Sequence, residues 1–326
     1  MLISVILFAV GLVLLVKGGD WFVDGAVGIA HRFHMPEILI GATIVSIGTT
    51  LPEVMVSAAS AVSGHGDIAY GNAIGSIICN TALIAAITIA VSPQTADRSS
   101  LKVPVSFFFV SAVLYAVLAY AAGEFTRING IVFLIIFVIY MVVTVRQLKK
   151  NPAGLTEQAE QLQESHEETA GSAGKDIALL LIGAVLIAVG ANLLVDNGTD
   201  IAAGLGVPES VIALTFVALG TSLPELVTAI SSLAKGHGSL SLGNIIGANL
   251  FNIVLVNGVS ITLSPFSVPV SKTLFGLNSS LVIDIPLMLF VMAFLTIPAL
   301  VRGKLSRTQG IVLLCIYGAF CIYQFV

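Results

Sequence analysis

Residues 48–57 read GTTLPEVMVS, and residues 220–229 read GTSLPELVTA. Both stretches lie inside apolar sequence, and both place a proline beside a carboxylate. Proline has no amide hydrogen, and its ring clashes with the carbonyl four residues before it. Pro52 therefore deprives the Gly48 carbonyl of its helical partner, and Pro224 does the same to Gly220. One carboxylate at the centre of a bilayer costs at least about 2.5–3.5 kcal/mol. A proline kink accounts for the first feature and leaves Glu53 and Glu225 unexplained.

The surrounding composition identifies the solvent. The chain of 326 residues is 57% hydrophobic and 10% charged, with a mean hydropathy of +1.04. A soluble domain carries about 25% charged residues. A hydrocarbon core needs roughly 20 apolar residues per helical span, and such runs recur along the whole chain. The sequence reads as an all-α polytopic membrane protein with spans near 2–30, 36–63, 67–92, 103–122 and 127–147, then 176–203, 208–235, 239–264, 278–300 and 308–326. The N-terminal run lacks a basic n-region and a small-residue cleavage site, so it reads as the first span. The polar stretch 148–175 is rich in Glu, Gln, Ser and Gly and too short to hold a core, so it reads as a flexible loop. A net charge of -4 suggests no nucleic-acid role. Cys79, Cys315 and Cys321 lie in apolar context without CxxC spacing and read as small buried hydrophobes.

With the 148–175 loop in the cytoplasm, the inside segments collect Arg32, Arg98, Lys102, Arg146, Lys149, Lys150, Lys175, Lys235, Arg302, Lys304 and Arg307. The outside keeps Arg127 and Lys272, and Lys17 lies within the first span. Cytoplasmic loops carry this excess of Lys and Arg. The expectation is a multi-pass protein of a cell membrane, inner or plasma, with both termini outside.

The two halves repeat at one fixed offset of 172 residues. Glu225 falls on Glu53, Pro208 on Pro36, His237 on His65, Gly243-Asn244 on Gly71-Asn72, Asn252 on Asn80, Asp196 on Asp24 and Gly190 on Gly18. Each unit holds five spans, an odd number, so the second copy enters the bilayer upside down. Inverted repeats of this kind build many secondary transporters, with the substrate at the midplane between broken helices. The expected organisation is a first five-helix repeat over 1–147 with its motif at 36–90, the loop 148–175, and a second repeat over 176–326 with its motif at 208–262.

Each motif concentrates hard oxygen atoms. Thr49 and Glu53 are four apart, as are Thr221 and Glu225, so each pair shares a helical face. Thr50 and Ser222 add hydroxyls, and Ser76 and Asn80 share a face in the next span, where the second copy has Ala248 and Asn252. Calcium prefers six to eight such oxygens at about 2.3–2.6 Å. No convergent histidines or thiolates favour zinc or copper. Two unpaired carboxylates repel each other, and no Arg or Lys lies in either motif. Their charge must be cancelled by something that can leave: a divalent cation, several sodium ions, or protons. A site always filled by one of these, and never by all, couples their movements. The other polar residues read as structural: His65 and His237 as turn residues, Asp24 and Asp196 as interfacial, and Asp284, whose counterpart is Ala112, as a hydrogen-bonded group.

At these residues the chain resembles the calcium/cation antiporter superfamily, its sodium/calcium exchanger branch in particular. GTTLPE through GNAIGSIICN looks like the first alpha repeat and GTSLPE through GNIIGANLFN like the second. The resemblance is specific over roughly 18–90 and 190–262. It implies ten helices with a four-helix ion-binding centre, across which long first and sixth helices slide. By position it makes Glu53 and Glu225 shared calcium and sodium ligands, with oxygens from Thr49, Thr50, Thr221 and Ser222. Ser76 matches a sodium-ligating serine, Asn80 and Asn252 flank the centre, and Ser46 and Ala218 offer backbone carbonyls. Two departures follow: Ala248 replaces a serine hydroxyl and weakens one peripheral sodium site, and neutral Asn252 removes a potassium requirement.

The reading is a secondary active antiporter that extrudes calcium against inward sodium by alternating access, with a proton-coupled calcium/cation antiporter as the alternative. An intramembrane enzyme would need a substrate geometry that symmetric motifs do not suggest, and a channel would conduct without a counter-ion. No enzyme activity, cofactor or obligatory protein partner is expected. The partners are calcium and sodium as cargo, and the lipid bilayer.

Overall fold

The computed structural model describes residues 2–32, 35–150, 173–204, 220–270, 273–274 and 276–325. A helix falls within each expected span. In chain order they are α1 (Leu2–Arg32), α2 (Glu37–Val62), α3 (Gly66–Val91), α4 (Arg98–Ala122), α5 (Arg127–Lys150), α6 (Ala173–Gly204), α7 (Leu223–Ala234), α8 (Gly238–Leu263), α9 (Ser280–Arg302) and α10 (Arg307–Phe325). Among the described residues, 8 helices are long and apolar enough to cross a membrane. The other two are α7, whose expected span begins outside the described residues, and α10 of 19 residues. The protein is a multi-pass membrane protein. Pro208, Ala218, Lys272 and positions 151–172 of the expected loop also lie outside the described residues.

Helix ends depart from the apolar runs for local reasons. α4 starts at Arg98 rather than 103 because the Asp97 side chain accepts from the amides of Ser99 (3.1 Å) and Ser100 (3.0 Å). Burial alone would raise the Asp97 carboxyl, but the Ser100 and Ser99 hydroxyls and amides more than offset it and hold the group below its ordinary value. α5 and α6 continue into the expected loop, to Lys150 and from Ala173, since backbone hydrogen bonding needs no apolar side chain.

The break expected at Pro52 needs correction, while at Pro224 a helix does start afresh after a turn at Thr221 and Ser222. α2 passes through Pro52 in one α-helical run over Ser46–Val62, preceded by a π-helical turn at Gly41–Val45. Proline removes only its own donor, and the flanking hydrogen bonds keep the helix together. Pro224 instead stands in the first turn of α7, where a missing amide costs nothing because that donor would be unpaired anyway. α3 and α8 are not broken either. Each contains a π-turn, at Asn80–Ala85 and Asn252–Val256, beginning at residues 172 apart.

α8 is the central element, with every residue from Leu240 to Val254 buried. α2, α3, α4, α5 and α7 all pack against it, and α9 and α10 lie outside them. Apolar residues on the outer faces stay exposed, among them Val13 on α1, Val138 on α5 and Val185 on α6, as a lipid solvent allows. Cys79 is buried as expected, but Cys315 is exposed and Cys321 half-buried. That corrects the reading of all three as buried, since α10 turns one side outward where apolar context does not imply burial. Two-residue strands, Glu124–Phe125 with Phe266–Ser267 and Thr273–Leu274 with Leu277–Asn278, tie loops together.

α1 and α6 run antiparallel along a seam of glycines. A Cβ on Gly11 would lie 2.9 Å from the Gly190 carbonyl oxygen, and one on Gly18 would lie 3.0 Å from that of Gly183. Gly25 meets the backbone of Asp176 and Leu180 in the same order. Small residues let membrane helices approach this closely. At the end of the bundle nearest the 148–175 loop, Arg32 bonds Asp176 at 3.0 Å and Lys235 bonds Asp24 at 2.6 Å. His237 Nδ1 lies 2.7 Å from Glu37 Oε1. Asp24 and His237 therefore make contacts between the halves, while Asp196 is exposed. Asp284 accepts from Gln324 at 3.5 Å.

Candidate cation-binding site

Glu53 on α2 and Glu225 on α7 are both 0% exposed. They lie within electrostatic range of each other, and none of their four carboxylate oxygens makes a hydrogen bond of normal geometry. Buried polar groups are almost always satisfied, and an isolated buried charge is strongly disfavoured. No lysine or arginine bridges to either acid among the described salt bridges. The Thr50 and Ser222 hydroxyls, both amide atoms of Asn80, and Asn252 Oδ1 are likewise buried without a partner. Ser76 is buried as well. These groups are contributed by α2, α3, α7 and α8.

The π-turns explain why Asn80 and Asn252 lie where they do. A π-turn widens the helix by one residue and recurs at functional sites. Asn252 Nδ2 bonds the Ala248 carbonyl at 3.1 Å, leaving Oδ1 free to face the site. Asn257 Nδ2 donates to the Asn252 carbonyl at 2.9 Å and fixes that turn.

Three assigned hydroxyls are already committed. Thr49 donates to Asn244 Oδ1 at 3.2 Å and Thr221 to Asn72 Oδ1 at 3.1 Å. Ser46 Oγ donates to the Gly41 carbonyl (2.7 Å) and the Asn244 carbonyl (2.9 Å). Donating these hydrogens orients the three hydroxyls and leaves their oxygen lone pairs, like their backbone carbonyls, able to meet a cation. The position of Ala218 lies outside the described residues. The two bonds Thr49–Asn244 and Thr221–Asn72 match each other at the 172-residue offset, and each joins one half to the other. Asn72 also donates to Ser57 Oγ (2.8 Å) and the Glu53 carbonyl (3.2 Å), which steadies the acid-bearing turn. In the sequence Asn72 and Asn244 were legible as repeat markers only.

Replacing Asn244 by Ala would strand one buried hydroxyl, that of Thr49, at a cost of about 1–3 kcal/mol. In a cycle with Thr49→Val, the expected coupling is about 0.5–1.5 kcal/mol in thermal stability in detergent. Strict additivity would mean the bond does not form.

A small cavity adjoins the site, lined by both prolines, Thr49, Gly48, and Phe22 and Ile187 from the glycine seam. Among the described residues no three His, Cys, Asp or Glu side chains cluster. A bound cation would therefore draw its remaining ligands from neutral oxygens, which suits calcium and sodium and not zinc or copper.

Unpaired acids enclosed between two matching halves of a multi-pass bundle define a secondary transporter for cations. The model of the family described as "Sodium/calcium exchanger protein" matches residues 3–146 and 175–326, and the chain belongs to that family. It is 30% identical over 353 residues to the sodium/calcium exchanger MaX1 of Methanosarcina acetivorans, covering 99% of both chains. It is 33% identical over 267 residues to the inner membrane protein YrbG of Escherichia coli, covering 81% of each. A solved structure of the sodium-calcium exchanger NCX_Mj, soaked with Na+ and Sr2+, superposes with a TM-score of 0.80 at 32% identity over 97% of both chains. The protein is a cation antiporter and not an enzyme.

Proposed function

We propose that the chain extrudes calcium against inward sodium, both ions using one site between two inverted five-helix repeats in alternation. The observation that carries this reading is the pair of fully buried carboxylates whose four oxygens make no hydrogen bond of normal geometry. One calcium ion cancels both charges, and sodium does so only in plural, so the two cargoes exclude each other. Glu53 and Glu225 are the shared ligands. Thr50, Ser222, Ser76, Asn80 and Asn252 supply side-chain oxygens, Thr49 and Thr221 supply hydroxyl or carbonyl oxygens, and Ser46 and Ala218 supply backbone carbonyls. The inverted arrangement is supported by the antiparallel α1–α6 seam and by the matching bonds at the 172-residue offset.

Sodium coupling is favoured over proton coupling by the neutral oxygens. Thr50, Ser222, Asn80 and Asn252 present unpaired oxygens around the acids, which a metal cation uses and a proton does not. Ala248 in place of a hydroxyl lowers the sodium count and keeps the proton reading in play. The excess of Lys and Arg supports a cytoplasmic 148–175 loop with both termini outside.

The test is reconstitution of the purified chain with sodium, proton and calcium gradients imposed independently. Calcium uptake should follow an opposed sodium gradient at constant pH and persist without potassium. Uptake that ignores sodium and follows the pH gradient would replace this assignment with the proton-coupled one.

A further inference from the structure

α7 carries a second polar feature that the carboxylate site leaves unused. Buried hydroxyls elsewhere in this bundle donate to the carbonyl four residues back: Thr43 to Leu39 and Thr81 to Ile77 at 2.7 Å, Thr296 to Met292 at 2.6 Å. Thr228, Ser232 and Ser241 do not. All three are 0% exposed, and none of their oxygens makes a hydrogen bond. Two other unpaired Ser and Thr hydroxyls away from the acids, Ser111 and Thr144, lie on α4 and α5, outside this hairpin.

Thr228 and Ser232 lie on α7 and Ser241 on α8, the two arms of one hairpin. Thr228 and Ser232 follow Glu225 by three and seven residues, which places them on its face of α7 and carries them to about 10 Å from the carboxylate. Ser232 and Ser241 flank the Gly236 turn at nearly equal separation, so they lie at similar depth on the two arms of the α7–α8 hairpin. Beyond them at the loop side are the Lys235–Asp24 and His237–Glu37 contacts. The first half lacks the pattern: the matching residues are Val56, Ser60 and Ala69, and Val56 is 39% exposed on the outer surface.

A buried hydroxyl without a partner is costly, and each one calls for a water or an ion that completes it. We propose that Thr228, Ser232 and Ser241 line the path along which the partly hydrated cation moves between Glu225 and the loop-side face, a path closed in this conformation by the two contacts above it. Neutral hydroxyls suit such a path, since they replace shed water without holding the ion as a carboxylate would. The inference rests on the proposed function, and it adds that the two faces of the site are not served by equivalent routes.

Single cysteines at Thr228, Ser232 and Ser241 in the reconstituted full chain test it. A membrane-impermeant cationic thiosulfonate is applied to one face at a time, and labelling is read as a mass increase against the unaltered chain, whose native thiols set the background. Labelling of Ser232→Cys from the loop side should be at least tenfold faster than from the other face and slowed by calcium. Absence of loop-side labelling, or equal rates from both faces, overturns the path. Because labelling is read without flux, it can fail while Glu225 still proves essential. Should the cysteine variants not fold, Thr228→Val with Ser232→Ala should raise loop-side half-saturation by calcium fivefold or more and leave the opposite face unchanged. No change at either face also overturns it.

Discussion

Calcium exchange by the Glu225→Gln variant is expected to fall at least about 100-fold, with the protein still folded. Gln keeps the shape of the side chain and removes its charge, so the site can no longer neutralise a divalent cation. Losing one charged member of a buried pair costs about 2–5 kcal/mol, and each 1.4 kcal/mol is tenfold in binding. Stability without ions should hold or rise, because the variant removes one of two unpaired acids within electrostatic range of each other. Glu53→Gln should behave the same way. The measurement is flux in vesicles beside the unfolding midpoint in ion-free detergent. Flux above half the unaltered value in either variant would remove the acids from the mechanism.

Gly243→Ala should cost about 3 kcal/mol or more and yield little folded protein. A Cβ there would overlap the Ile38 carbonyl oxygen and come within 2.9 Å of Ile38 Cα. Those are backbone atoms that no rotamer change can move, so the α8–α2 contact must separate. Overpacking costs about 1–3 kcal/mol even where side chains can adjust. Gly71, the residue 172 positions earlier, has no described atom within 4 Å of its would-be Cβ. Gly71→Ala should therefore be much milder, and the midpoint of thermal unfolding compares the two directly. Equal effects would show that the tight approach at Gly243 is not what stabilises the centre.

Span positions, the 172-residue repeat and the two acids were legible in the sequence, because each is carried by residue type at a regular spacing. Hydropathy marks what faces lipid, and a buried Glu stands out against it. The π-turns at Asn80 and Asn252 were not legible, since they arise from how α3 and α8 pack and leave no signature in residue type. The opposite behaviour of Pro52 and Pro224 was hidden for the same reason: the same Leu-Pro-Glu triplet begins a helix in one half and is enclosed by one in the other. Asn72 and Asn244 were visible as landmarks, but their bonding partners lie in the other half, at separations of 149 and 195 residues. The Glu37–His237 contact spans 200 residues and was equally out of reach, although His237 stood out as a turn residue.

The reciprocal bonds from Thr49 to Asn244 and from Thr221 to Asn72 make ownership of the chamber mutual. Neither half possesses a finished wall, so a five-helix fragment, however well inserted, presents its acid to an unbuilt space. Assembly of the two halves and creation of the ion's enclosure are one event.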